Sequence, residues 1–301
     1  MPKAARFAVE RTIFHKRLVK EVIWTRNAFP SIADKGNRAS QEIARQIARS
    51  LGLTLGAKEI PAQRAGNKFE EATAMFVQAT FSTLSHLRPG HWGTRKIGQS
   101  DGGDGKSTEA KGRNLEKLIP IARFEQYRHL VAIAEAAKGN DDLRATLGSD
   151  YIIKPDVVVF RELVEDAEIN RDEYLVDEAV ARHASLRKMN GGRPLLHASI
   201  SCKLTIRSDR SQNSRSEALN LIRNRRGHLP HVVVVTAEPL PSRLSSVALG
   251  SDIDCVYHIA LPELEQAVET LGLDDSRESL RIMTHGRRLK DIGDLPLDLA
   301  V

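Results

Sequence analysis

The sequence predicts an α/β sandwich, a central mixed sheet with helices on its faces. Three observations lead there. Helical periodicity fills the first part of the chain, over Val9 to Trp24, Ser40 to Leu51, Phe69 to Leu87 and Glu116 to Ala137. Strand-like runs follow at Tyr151 to Phe160, Leu196 to Ile206, His231 to Thr236 and Cys255 to Ile259, with helices between or after them, including Leu261 to Leu271. A chain of 301 residues with 41% hydrophobic content can bury a sizeable core, and it reads as one large domain without internal repeats.

In chain order, the Phe69 helix carries its apolar stripe on Phe69, Ala72, Phe76 and Ala79. Glu70 lies beside that stripe and reads, from the pattern alone, as a solvated residue. The segment 100–113 is rich in Gly, Ser and Asp, which predicts a mobile surface insertion. Gly105-Lys106-Ser107 within it ends like a phosphate-binding loop, but the glycine required five positions earlier is Ser100. No buried strand leads in and no apolar helix follows, so no nucleotide site and no ATP dependence are expected. The run Val157-Val158-Val159-Phe160 reads as a buried strand headed by Pro155-Asp156. From Leu196 to Ile206 residues alternate, with Ala198, Ile200, Cys202, Leu204 and Ile206 on one face and Ser199, Ser201, Lys203 and Thr205 on the other. The Asp156 and Lys203 strands are expected to be neighbours near the centre of the sheet.

Asp156, Lys203 and Glu217 together suit metal-assisted phosphodiester hydrolysis. That reaction needs a stabilised pentacovalent dianion and hydroxide near neutral pH, and hard cations with oxygen ligands supply both. Asp156 at a strand head offers a rigid ligand. Lys203 on a polar face can hold an attacking water or neutralise the phosphate. Position 201, two before the lysine, usually carries an acid in such sites and here is serine. A second carboxylate must come from elsewhere, and Glu217, placed by Ser214-Arg215-Ser216-Glu217 at the first turn of an amphipathic helix, is the candidate. The plainer readings are a capping-box glutamate for Glu217 and an edge-strand lysine for Lys203.

Between them, Arg207-Ser208-Asp209-Arg210 leaves the strand and leads to the helix. Arg207 and Arg210 suit bidentate contacts to guanine, and Asp209 suits acceptance from cytosine N4. The alternative is a solvated loop with a local ion pair. A net charge of +6 and a pI near 9.4 favour a polyanionic partner weakly. The run Arg223-Asn224-Arg225-Arg226 suits phosphate contacts or a helix C-terminus equally. Cys202 and Cys255 sit in apolar strand contexts and read as core thiols, without disulfide or metal spacing. No signal-peptide pattern or membrane-length apolar run is evident, so a cytoplasmic location is expected. HExxH does not occur, which removes the zinc-protease reading.

At these residues the chain resembles a known family, the type II restriction endonucleases of the NgoMIV type, a CCGG-reading group of the PD-(D/E)xK nuclease superfamily. The most specific stretch runs from Ser199-Ile200-Ser201-Cys202-Lys203 through Thr205-Ile206-Arg207-Ser208-Asp209-Arg210 to Arg215-Ser216-Glu217. It continues in Leu229-Pro230-His231, Val235-Thr236-Ala237-Glu238-Pro239 and Pro241-Ser242-Arg243. Gly148-Ser149-Asp150-Tyr151, Pro155-Asp156 and Ala167-Glu168-Ile169-Asn170-Arg171 also match, and the likeness covers nearly the whole chain.

The resemblance implies a restriction-endonuclease-like three-layer sandwich, with Asp156, Lys203 and Glu217 as the catalytic and metal-binding core. Ser201 takes the usual acidic position and Glu70 matches a further active-site glutamate. Arg207, Asp209 and Arg210 match major-groove readers, Asp34 and Arg243 match readers of the outer base pairs, and Gln63 matches a minor-groove contact. It also implies magnesium, two ions per site, and double-stranded DNA cut at GCCGGC after the first G, leaving four-base 5′ overhangs. A homotetramer on two sites is implied, at the least a two-fold dimer, in a bacterial restriction-modification system whose methyltransferase protects host DNA. No Asn or Gln stands in the major-groove segment to select adenine, in keeping with a G·C-only target. Position 36, a small hydroxyl residue in some relatives, is Gly36, which leaves only a backbone contact there. A non-cleaving DNA-binding protein on the same scaffold is the alternative, set aside because the metal and lysine set is intact. A structure-selective repair nuclease is disfavoured by the base-reading set.

Overall fold

The structure is a computed structural model that describes residues 4–52, 54–97, 119–147 and 152–301; the side chains at 144, 147 and 208–211 are not included. The 100–113 insertion, the phosphate-loop look-alike and the Gly148–Tyr151 match all lie outside the described residues.

The predicted α/β fold is the one observed. Six strands form one mixed sheet: β3 (Trp92–Lys96), β4 (Val157–Arg161), β5 (Leu195–Lys203), β6 (His231–Thr236), β7 (Cys255–His258) and β8 (Leu289–Asp291), hydrogen-bonded in that order. A short hairpin, β1 (Thr25–Arg26) with β2 (Phe29–Pro30), stands apart from it and turns on Asn27 and Ala28, both at positive φ. Among the described residues, the helices longer than a single turn are α1 (Arg6–Glu21), α2 (Arg38–Ser50), α3 (Ala62–Phe81), α4 (Leu130–Ala137), α5 (Asp141–Leu147), α6 (Ser208–Asn224), α7 (Pro241–Ala248), α8 (Leu261–Thr270) and α9 (Asp274–His285). As predicted, the strand headed by Asp156 and the strand carrying Lys203 are neighbours; they stand second and third in the order. No helix among the described residues is long and apolar enough to cross a membrane.

Two compact units make up the chain. The first comprises residues 1–89, 200–218 and 231–301. Its parallel strands β6, β7 and β8 place Val233 opposite Cys255 and Val256 opposite Leu289, and these side chains are buried. Helix α1 packs Phe14 against Phe76 of α3, ring centres 5.4 Å apart. Arg11 of α1 forks onto two distant elements: Nη1 donates to Glu263 of α8 and Nε to Asp291 of β8, each at 2.9 Å. Cys202 and Cys255 form no disulfide and are buried, and burial pushes the Cys255 thiol up to about 11, so it is inert.

The second unit comprises residues 90–199 and 219–230. Antiparallel β3 pairs Gly93 with Phe160 of β4. A Cβ at position 93 would come within 2.3 Å of the Phe160 ring, so only glycine lets the ring lie there. Buried Gln126 acts as a surrogate strand at the start of β5, donating to the Leu196 carbonyl at 2.7 Å and accepting from its N–H at 2.9 Å. Tyr127 anchors the last turns of α6 by donating to the Leu221 carbonyl at 3.0 Å. Beyond it, Arg225 donates to the Ile222 carbonyl, which gives one member of the basic run a structural use.

Several predicted boundaries are corrected. The strand expected from Tyr151 starts only at Val157, and the one expected to reach Ile206 stops at Lys203. The helix expected over Glu116 to Ala137 is broken at its described end into two 3₁₀ turns, Pro120–Arg123 and Glu125–Tyr127, before α4. Pro120 stands at the start of the first turn and lacks the N–H that would continue a helix through it. Strands β3 and β8 were not foreseen. Trp92-Gly93-Thr94-Arg95-Lys96 is half-buried throughout and has no alternating apolar signal.

Candidate active site

Asp156 immediately precedes β4, and its position is fixed by the backbone. Its carbonyl accepts from Ile97 N–H at 3.0 Å, and the next three residues, Val157, Val158 and Val159, are fully buried. Lys203 closes β5 and is half-buried. The alternation predicted along β5 does not appear as one covered and one open face, since His197, Ser199 and Ser201 are buried along with Ala198, Ile200 and Cys202. Strands buried on both faces are those of a sheet with helices packed on each side. The Ser201 hydroxyl is buried and has no hydrogen-bond partner among the described residues, an arrangement that costs stability and calls for a reason.

Glu217 lies elsewhere on its helix than predicted. Helix α6 already begins at Ser208, so Glu217 is half-buried in mid-helix and the capping-box reading falls away. The same early start corrects the loop assignment of Arg207-Ser208-Asp209-Arg210. Arg207 is the exposed residue just before α6, and Ser208 to Arg210 form its first turn. The side chains of Asp209 and Arg210 lie outside the described residues.

Within the first unit, Lys203 and Arg207 open on one cleft of about 370 Å³, shared with Trp24, Arg26, Ala65 and Asn213. Gln63 is exposed on α3 between two residues of the cleft lining, Ala62 and Ala65. Glu70 follows Gly66 of that lining by one helical turn and is half-buried rather than solvated.

Asp34 and Arg243, 209 positions apart in sequence, form an ion pair through Asp34 Oδ2 and Arg243 Nη2. The Asp34 carboxyl is held below its usual range by the Gly36 N–H, 3.0 Å away, and then by the Arg243 guanidinium, with Arg207 adding to the field. The Gly36 N–H, the backbone donor at the position where sequence reasoning left only a backbone contact to DNA, is therefore engaged by Asp34.

Glu238 was missed as a functional candidate. It is fully buried, and its two carboxylate oxygens accept from the N–H groups of Ile206 (2.8 Å) and Leu240 (3.0 Å). The available signal was a glutamate after the apolar β6 run, in a position where charge is expensive. Burial pushes its carboxyl up to about 7, against the lowering effect of the two N–H groups and of Arg243. Because the folded-state value lies above the ordinary 4.5, the folded protein binds this proton more tightly; the group's stabilisation is complete below 4.5 and is lost as pH rises through about 7. The stability gap between the native chain and Glu238→Gln, from urea unfolding at about pH 5 and about pH 8, is therefore expected to narrow at the higher pH. A constant or widening gap would contradict this.

The donor chemistry fits a hard cation. Of the residues expected to hold a metal, Asp156 and Glu217 are each half-buried carboxylates, and Ser201 carries a buried hydroxyl without a partner among the described residues; all are oxygen donors. Among the described residues no three His, Cys, Asp or Glu side chains gather into a cage. That is compatible with magnesium, which commonly takes one or two carboxylates and fills its remaining positions with water and substrate phosphate.

A mixed six-stranded sheet flanked by helices, with an aspartate heading one central strand and a lysine closing the next, belongs to the restriction-endonuclease-like class of α/β proteins. A family model described as NgoMIV restriction enzyme matches residues 14–301. The chain is also 53% identical over 298 residues to the type II restriction enzyme NgoMIV of Neisseria gonorrhoeae, covering 98% of this chain and 99% of that protein. The chain belongs to the NgoMIV restriction enzyme family and is a site-specific restriction endonuclease.

Proposed function

We propose that this endonuclease hydrolyses double-stranded DNA at the palindrome GCCGGC after the first G, leaving four-base 5′ overhangs, with magnesium as its cofactor. The observation that carries the reading is the shared cleft. Lys203, suited to the reacting phosphate, and Arg207, suited to a guanine edge, line the same cavity four residues apart. Cutting and reading are thus coupled through a single strand end.

In this reading Asp156 and Glu217 hold the metal, and Ser201 stands where relatives of the wider superfamily place an acid. Magnesium, when bound, supplies positive charge to the phosphate and makes hydroxide accessible near neutral pH. Lys203 orients the attacking water and offsets the charge that develops on the phosphate, where a half-buried cation acts with little reorganisation. Glu70 supports that set from α3. Arg207, Asp209 and Arg210 read the inner pairs from the major groove, Asp34 and Arg243 the outer pairs, and Gln63 approaches from the minor groove. A palindrome demands a two-fold pair of protomers, and two such pairs form the tetramer. The protein works as one catalytic domain in the bacterial cytoplasm, beside a methyltransferase that protects host DNA.

The test is digestion of a long, sequenced, unmethylated DNA with and without magnesium, followed by sequencing of the fragment ends. Ends confined to GCCGGC with 5′ overhangs, and only with metal, are expected. Metal-dependent ends at another GC-rich sequence would place the error in the base readers. DNA that is bound and never cut would favour the non-cleaving alternative.

A further inference from the structure

The base-reading segments of the first unit are joined by one buried side chain. Glu238 Oε2 accepts from the N–H of Ile206, the residue before Arg207. Its Oε1 accepts from the N–H of Leu240, the residue before α7, which carries Arg243. Arg243 Nη1 lies 3.9 Å from the same Oε2, and Arg243 is itself paired with Asp34. The clamp is braced from behind: Glu238 N–H donates to Thr236 Oγ1 at 3.1 Å, and Ala237 N–H donates to the Leu204 carbonyl at 3.2 Å. A carboxylate accepting two backbone N–H groups on separate segments fixes their spacing far more tightly than van der Waals contact alone.

We propose that Glu238 is a positioning residue for sequence discrimination, holding the Arg207 segment and the Arg243 helix at a fixed spacing so that inner and outer base pairs are read as one unit. The proposal rests on the reading of Arg207 and Arg243 as base contacts. Glu238 touches no DNA; it acts through the two backbones. Besides its ion pair with Arg243, this buried acid uses both oxygens on the amides that precede reading residues. A glutamine in its place retains one acceptor and turns an N–H toward the other amide, so one half of the clamp opens.

The experiment compares single-turnover cleavage by the full-length native chain, Glu238→Gln, Arg207→Ala and Arg243→Ala on the cognate duplex, on duplexes with an outer pair exchanged and on duplexes with an inner pair exchanged. Arg207→Ala relaxes discrimination at inner pairs alone and Arg243→Ala at outer pairs alone. Glu238→Gln is expected to relax both together, by about tenfold each. Amide exchange at Ile206 and Leu240, faster in Glu238→Gln than in the native chain, reads the clamp without reference to activity. If the arginine variants relax discrimination and Glu238→Gln leaves both ratios unchanged, the positioning role is overturned and the base reading stands. If the arginine variants leave discrimination unchanged, the base reading fails and the proposal with it. Should Glu238→Gln fail to fold, Glu238→Asp, which keeps the charge but is too short to span both amides, is read by the same ratios and the same two amides.

Discussion

Replacing Lys203 with alanine is expected to abolish cleavage, lowering the rate by at least about 10²–10³, while binding to the specific site in calcium or without metal persists. The side chain stands at the end of β5, partly covered, on the wall of the cleft. A cation there is worth more than in bulk water because the surrounding medium screens it less. In the proposed reading it makes no base contact, so its loss leaves recognition intact. Parallel measurements of cleavage under single-turnover conditions and of duplex retention in gel shifts decide the matter. Equal loss of both would show that Lys203 serves binding and would remove it from the catalytic set.

Arg207→Ala is expected to act the opposite way. It should weaken discrimination at one base pair by about 1–3 kcal/mol, with the cognate site affected and its mismatched version nearly untouched. Arg207 is exposed immediately before α6, and the strand end behind it is fixed through Ile206 by Glu238. The guanidinium is thus presented from a firm backbone, as a bidentate reader must be. The check is the ratio of cleavage on cognate duplex to that on duplexes altered one pair at a time. A ratio unchanged at every position would refute the reading role.

Much of this was legible in the chain. Pro155-Asp156 before a run of valines marked a buried strand with an acid at its head, and the alternation ending at Lys203 marked the neighbouring strand; both are local patterns of period two. Glu217 was recognised as a residue, yet placed in the wrong turn. Ser208 to Asn213 is polar throughout and carries no helical periodicity, and the helix forms there regardless. The contact between Asp34 and Arg243 spans 209 positions and left no local trace; resemblance alone suggested that the two work together. Glu238 escaped because a single glutamate after a strand has no pattern around it. Its meaning comes from two amides, one of them 32 positions away.

The bridge from Arg11 to Glu263 and Asp291 carries a consequence for the timing of synthesis. Its two ends are 280 positions apart, so at roughly 5–20 residues per second a ribosome needs on the order of 15–60 s to deliver the partner after Arg11 has emerged. Until then α1, β6 and the segment from β5 into α6 lack the strand and helix that close their unit. A partly made chain therefore holds Lys203 and Arg207 in a first unit that stays open until the residues around Asp291 have been delivered.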